Sequence, residues 1–222
     1  MKEVEKVWKD FYVRIFSNNK MKKILLLISL LFVLACTPVH DDNSSNLKDS
    51  NLKIATFAGG CFWCTESDFE KVPGVIEVIS GFAGGNIENP TYKEVSGGKS
   101  GHVEAVQVYY DPNKISYRDL ANYHFKHIDP TDDKGQFSDR GFQYTTAIFY
   151  HDKLQKEAAE KSKLELERSR KFSKPIVTRI IPFTTFYKAE EYHQDYHKKN
   201  PIRYNFYREG SGRNTFLEET WS

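Results

Sequence analysis

Ile54-Ala55-Thr56-Phe57-Ala58-Gly59-Gly60-Cys61-Phe62-Trp63-Cys64 is the stretch from which the rest of the chain can be read. Ile54 to Ala58 is a short apolar run stopped by two glycines, the pattern of a strand feeding a tight turn. From Cys61 to Val72, Phe62, Phe69 and Val72 recur among acidic residues at helical spacing, and Pro73-Gly74 ends the run. A cysteine placed after such a turn lies near unsatisfied backbone N–H groups and the positive end of the helix dipole. The expectation is a Cys61 thiol with its pKa drawn below the free value of about 8.5, hence nucleophilic near neutral pH. Phe62 and Trp63 offer flat apolar surface to a small group such as a methyl; ordinary core packing is the alternative. Cys64 completes a C-x-x-C spacing. Structural zinc needs two more ligands and no second cysteine pair exists, whereas thioredoxin-like motifs normally hold Gly-Pro between the cysteines. A dithiol redox site, or two inert buried thiols, remains.

Outward from this stretch the pattern alternates. Strands are expected at Val75 to Ser80, Val103 to Tyr110, Thr145 to Tyr150 and Ile176 to Ile181. Helices are expected at Tyr117 to His127 and Lys153 to Arg170, with a short one at Tyr187 to His197. Phe82 to Gly101 reads as a glycine-rich loop, Asp129 to Gly141 as a polar loop, and the tail 201–222 as irregular. The order implies an α+β sandwich, with helices packed on one mixed sheet.

The 222 residues suffice for one ordinary domain plus a tail, and 39% hydrophobic with 14% aromatic side chains can fill its core. The 32 basic and 30 acidic residues are interspersed, which gives no nucleic-acid footprint. Three cysteines are too few for a disulfide-stapled scaffold. One stands apart. Met21-Lys22-Lys23 precedes an apolar run, Ile24 to Ala35, that ends at Cys36; this is the layout of a signal peptide, too short to span a bilayer. Residues 1–36 are therefore read as an extension and signal, with Met21 as the expected initiator. Val33-Leu34-Ala35-Cys36 resembles a bacterial lipobox with Cys36 lipidated, a plain cleaved signal or an uncleaved anchor being the alternative. Residues 37–53, rich in Asn, Asp and Ser, read as a flexible tether. The expected location is the bacterial cell envelope, membrane-anchored and facing the periplasm or exterior.

Two weaker signals flank the core stretch. Strand alternation puts Glu104 on one face with Val106 and Val108. If that face is the inner one, desolvation raises its pKa and leaves a general acid; otherwise it is an outward Glu paired with a Lys. His102 reads as a surface or strand-start residue. Asp129 in Ile128-Asp129-Pro130-Thr131 alone suggests a turn, and Tyr92 and Tyr144 alone suggest routine aromatics.

Taken together, Gly59 to Cys64, Pro90-Thr91-Tyr92, Gly101-His102-Val103-Glu104, Ile128 to Thr131 and Gly141-Phe142-Gln143-Tyr144 resemble the peptide methionine-S-sulfoxide reductases in order and spacing, over residues 54–200. The resemblance implies a ferredoxin-like two-layer core, reduction of free or protein-bound methionine-S-sulfoxide, and recycling by a thioredoxin-like reductant. It implies Cys61 as nucleophile, Phe62 and Trp63 as the wall for the substrate methyl, and Glu104 as the acid that protonates the sulfoxide oxygen. Tyr92 and Tyr144 would be hydrogen-bonding companions, and Asp129 would orient the substrate. Ile128 stands where many members have His directly before Asp, so His127 receives no role. The reaction needs no metal or bound organic cofactor, and a monomer is expected. Many members resolve the sulfenic acid with cysteines near the carboxyl terminus; none follows Cys64 here, so with Cys36 lipidated Cys64 is the resolving candidate. A thioredoxin-like disulfide oxidoreductase and a peptide-binding surface lipoprotein are the rival readings.

Overall fold

The computed structural model describes residues 51–221. Cys36, the signal and nearly all of the expected tether lie outside the described residues. In chain order the elements are β1 (Lys53–Gly59), α1 (Phe62–Phe69), β2 (Val75–Ala83), α2 (Tyr92–Ser96), β3 (Val103–Tyr110), α3 (Tyr117–Lys126), β4 (Gly135–Gln136), β5 (Asp139–Arg140), β6 (Thr146–Tyr150), α4 (Lys153–Ser169), β7 (Arg179–Pro182), β8 (Phe186–Lys188), α5 (Tyr196–Lys199), α6 (Pro201–Gly210) and α7 (Arg213–Trp221), with 3₁₀ turns at Phe142–Tyr144 and Glu191–His193.

Six strands form one sheet in the order β7-β6-β1-β3-β2-β8. All neighbours are antiparallel except β6 and β7. Within it β1-α1-β2-β3-α3-β6 is a β-α-β-β-α-β unit with the strand order β6-β1-β3-β2, the ferredoxin-like arrangement. Both outer strands are short: β7 has four residues and ends at Pro182, and β8 has three.

Alternation along the strands divides the core. Phe57, Val106, Val108, Ile148 and Phe82 meet Phe69, Leu120, Ala121, Phe125 and Ala159 from the helices. Phe57 stacks on Phe69 with ring centroids 4.9 Å apart and planes 13° apart. Truncating so enclosed a ring costs about 3–5 kcal/mol. On the opposite face Ala58, Ala83, Val103, Ala105, Ala147 and Phe149 pack under Ile181, Phe183 and Phe186. β1 lies near the middle of the sheet, so its end at Gly59 delivers the glycine turn into the interior.

Several expectations need correction. The loop 82–101 contains α2, started by a capping box in which Thr91 and Glu94 satisfy each other's backbone N–H groups. The loop 129–141 contains the small β4–β5 hairpin. Tyr187 is not helical: Phe186–Lys188 pair with Ala83, Phe82 and Gly81 at the sheet edge, a 3₁₀ turn follows at Glu191–His193, and α-helix resumes at Tyr196. The tail is not irregular. Pro201 occupies the first turn of α6, where its missing N–H costs nothing, and Tyr204 is buried from that helix. His102 is not at the surface; its ring is buried, with Nδ1 accepting from the Gly85 N–H at 3.2 Å and Nε2 2.8 Å from the Ile87 carbonyl.

Candidate active site

The turn after β1 depends on Gly60. Its φ is +83°, and a Cβ there would fall 2.5 Å from Cβ of Gln136, so any side chain would push the β4–β5 hairpin away. Cys61 follows as the cap position of α1, its carbonyl receiving the N–H groups of Cys64 at 3.1 Å and Thr65 at 3.2 Å. Beside it is a cavity of about 150 Å³ lined by Cys61, Phe62, Trp63, Tyr92, Glu104, Asp139, Tyr144 and Tyr207. Six of the residues singled out from sequence thus share one pocket. Cys64 lies behind Cys61, wholly buried among Tyr196 and Tyr204.

Glu104 is on the helix-covered face of β3, with 2% exposure. Its Oε2 accepts the Phe62 N–H at 2.9 Å, which fixes the carboxyl against the turn and leaves Oε1 free of that bond. Burial pushes the carboxyl well above the usual range; the Phe62 N–H opposes the shift, and the charges of Asp139 and Cys64 add to it. The shift favours the acid form of the carboxyl. Tyr92 and Tyr144 both line the cavity, and burial pushes both hydroxyls up, Tyr92 to about 12, so both keep their protons as donors.

Cys61 does not behave as the turn geometry alone suggests. Burial, the sulfur of Cys64 and the carboxyls of Glu104 and Asp139 push its thiol up rather than down. Three of the helix-start donors are committed elsewhere, the Phe62 N–H to Glu104 and those of Cys64 and Thr65 to the Cys61 carbonyl. Cys64 moves the other way, to about 7, through its hydrogen bond with Cys61, against its own burial and with help from Arg213 and Arg208.

Part of the lining is held by distant segments. Trp63 is clasped on three sides: its Nε1–H donates to Nδ1 of His193 at 3.0 Å, Tyr196 stacks on it with centroids 3.8 Å apart, and Tyr207 meets it edge-on. The Tyr207 hydroxyl donates to Asp139. Burial raises the Asp139 carboxyl, while Tyr207 and Arg213 hold it down.

Asp129 is not among the lining residues. Its Oδ1 accepts the Thr131 N–H at 2.9 Å and the Thr131 hydroxyl at 2.7 Å, and its backbone pairs with the Gln136 side chain. It builds the loop whose hairpin presents Asp139. Sequence reasoning missed Asp139, Tyr207 and the clasp on Trp63. The signals were there: Asp139 lies within a glycine-bounded loop, and Tyr204 and Tyr207 are spaced as on one helical face. Among the described residues no group of three or more His, Cys, Asp or Glu side chains could hold a metal ion.

Comparison with known proteins agrees with this geometry. The Vibrio cholerae peptide methionine sulfoxide reductase MsrA/MsrB is 51% identical over 196 residues, 88% of this chain; the chain spans about half (51%) of that relative's length. Peptide methionine sulfoxide reductase MsrA 2 of Staphylococcus aureus strain Mu50 is 52% identical over 169 residues, 76% of this chain and 96% of its own. The reduced form of Mxr1 from Saccharomyces cerevisiae superimposes with a TM-score of 0.64 at 35% identity, covering 68% of this chain and 86% of that one. Residues 53–222 match the family described as peptide methionine sulfoxide reductase, and the chain belongs to that family.

Proposed function

We propose that the chain reduces methionine-S-sulfoxide, free or within proteins, to methionine. The observation that carries this reading is the convergence on one cavity of a cysteine, a buried acid and an aromatic wall. Phe62 and Trp63 receive the substrate methyl, and the Tyr92–Tyr144 pair and Glu104 meet the sulfoxide oxygen. The Cys61 sulfur attacks the sulfoxide sulfur while Glu104 gives its proton to the oxygen. Oxygen passes from substrate to enzyme, methionine leaves, and Glu104 recovers the proton that Cys61 loses. The net products are a thioether and a Cys61 sulfenic acid. Choice of the S epimer follows from the family resemblance.

Cys64, adjacent and buried, then closes a disulfide with Cys61, and a thioredoxin-like dithiol reopens it. Resolved S and R epimers with dithiothreitol test the first half: turnover of S and not R is expected, and disulfide exchange without sulfoxide reduction would replace this reading. Cys64→Ser tests the second. It should release about one equivalent of methionine, since the first turnover needs only the nucleophile. It should then stall with thioredoxin yet continue at reduced rate with dithiothreitol; sustained thioredoxin turnover in a chain also lacking Cys36 would remove Cys64 from the cycle.

The lipobox-like Val33-Leu34-Ala35-Cys36 supports anchoring of the enzyme to an envelope membrane through Cys36. Mass spectrometry of the mature amino terminus tests this, an acylated Cys36 being the expected result.

A further inference from the structure

The 3₁₀ turn Phe142–Tyr144 borders two cavities. Tyr144 lines the catalytic one, whereas Phe142 at the start of the turn and Thr145 just after it line a second cavity of about 130 Å³. Arg179 and Val177 from the start of β7 and the segment before it line that cavity too, as do Asp132 and Asp133. Both cavities belong to one rim of the sheet. Gly59, the last residue of β1, pairs with Thr146, and β7 runs parallel to β6 with Arg179 beside Ala147. Neighbouring strands are about 4.8 Å apart, so Arg179 stands roughly 10 Å from the end of β1, where the Cys61 turn begins.

Arg179 is half-buried and held from two sides. Its Nη2 donates to the Thr145 hydroxyl at 3.0 Å, and its guanidinium lies 4.9 Å from the ring centre of Phe142. A guanidinium carries further N–H donors, and among the described residues no carboxylate lies within ion-pair distance of them. Asp132 is engaged with Arg140 at 2.6 Å instead. The oriented donors call for an acceptor from outside the chain, and charge decides its type. Asp132 and Asp133 line the same cavity, so an incoming carboxylate meets repulsion and a neutral carbonyl does not. Beside the donors lies apolar surface, with Phe142 47% and Val177 36% exposed. One exposed apolar residue is ordinary, but two on one cavity with a fixed donor match a peptide unit, which offers a carbonyl next to a side chain.

We propose that this cavity is a second subsite for polypeptide substrates, in which Arg179 donates to a main-chain carbonyl of the client while Phe142 and Val177 receive the adjoining side chain. An extended chain advances about 3.3 Å per residue, so the residue bound there lies about three positions from the oxidised methionine. Free methionine sulfoxide has no such residue and gains nothing from the subsite. The inference rests on the reductase reading and names polypeptides as the substrate class that this rim favours.

The test uses the full chain with dithiothreitol as reductant. It compares free methionine-S-sulfoxide with a peptide of about nine residues that carries the S-sulfoxide at its centre and leucines about three positions to either side, and with the same peptide bearing glycines there. Arg179→Met should lower kcat/KM about tenfold for both peptides, mainly through KM, and leave the free sulfoxide within about twofold, the scale of one charge-assisted hydrogen bond. Phe142→Ala should lower the leucine peptide about fivefold and the glycine peptide much less, as lost apolar burial requires. If Arg179→Met does not fold, Arg179→Gln keeps an amide donor toward Thr145 and serves the same comparison. Peptide values that neither Arg179 variant moves, or losses equal for peptide and free sulfoxide, overturn the proposal. So does a glutamate-bearing peptide that depends on Arg179 more than the leucine peptide does, because the ligand would then be a side-chain carboxylate. A wild-type chain that reduces none of these sulfoxides defeats the reductase reading instead, a result distinct from any change in the ratio of peptide to free turnover.

Discussion

The two walls of the pocket are built differently. Cys61, Phe62 and Trp63 are consecutive, and the backbone places them directly: β1 ends, Gly60 turns with positive φ, and α1 begins. Asp139, Tyr144 and Tyr207 arrive from the 129–144 loop and from α6, and meet only because Tyr207 bonds Asp139, Gln136 braces the Asp129 backbone and Arg213 grips the turn. On the proposed mechanism the near wall carries the attacking sulfur, and the far wall sets geometry and charge around it. Substitutions on the near wall should therefore remove chemistry outright, whereas those on the far wall should shift its pH dependence or its efficiency.

The sharpest test of this division is Cys61→Ser, for which first-turnover methionine release should fall by at least about 10³-fold, the scale of a lost nucleophile, even with dithiothreitol present. Near wild-type release in rapid-quench measurements would end the distinction. Glu104→Gln comes next, with an expected loss of about 10² in the single-turnover rate. Because the Glu104 carboxyl is raised, the wild-type rate is carried by the acid form and declines as pH rises through the raised pKa; this alkaline limb should be absent in the Gln variant.

On the far wall, Asp139→Asn removes a negative charge that helps keep Glu104 protonated, so the alkaline limb should move to lower pH. The rate on that limb should drop about tenfold per unit of displacement, with less change at acid pH. A uniform loss at every pH would mean that Asp139 acts on the substrate directly. The smallest effect is expected for Asp129→Ala, which loses the two bonds to Thr131. Stability should fall by about 1 kcal/mol, visible as a lower Tm, with kcat/KM within about twofold of wild type. A large kcat/KM loss would restore Asp129 to the site.

The near wall was legible in the sequence because its determinants are local: a strand, two glycines and a helix period lie within a dozen positions. β3 was legible for a similar reason, its alternation fixing both its ends and the face that Glu104 shares with Val106 and Val108. The far wall was not. β8 has three residues and exists because β2 offers it an edge, a tertiary cause that no local period records. α7 carries no apolar stripe, and Arg213 is its only buried residue, so periodicity had nothing to detect. Asp129 and Asp139 share one loop, and composition could not show that an Asx turn consumes the first while a hairpin turns the second inward. The raised Cys61 thiol was hidden for the same reason, because the acid that takes the Phe62 N–H lies on another strand.

The short outer strands bear on the company such an enzyme keeps. Oxidised methionines are most accessible in damaged, loosened chains, whose exposed backbone seeks any open β-edge on which to template. β7 offers four residues, the last a proline without an N–H, and β8 offers three. Neither outer edge therefore offers a long ladder on which an exposed backbone could template.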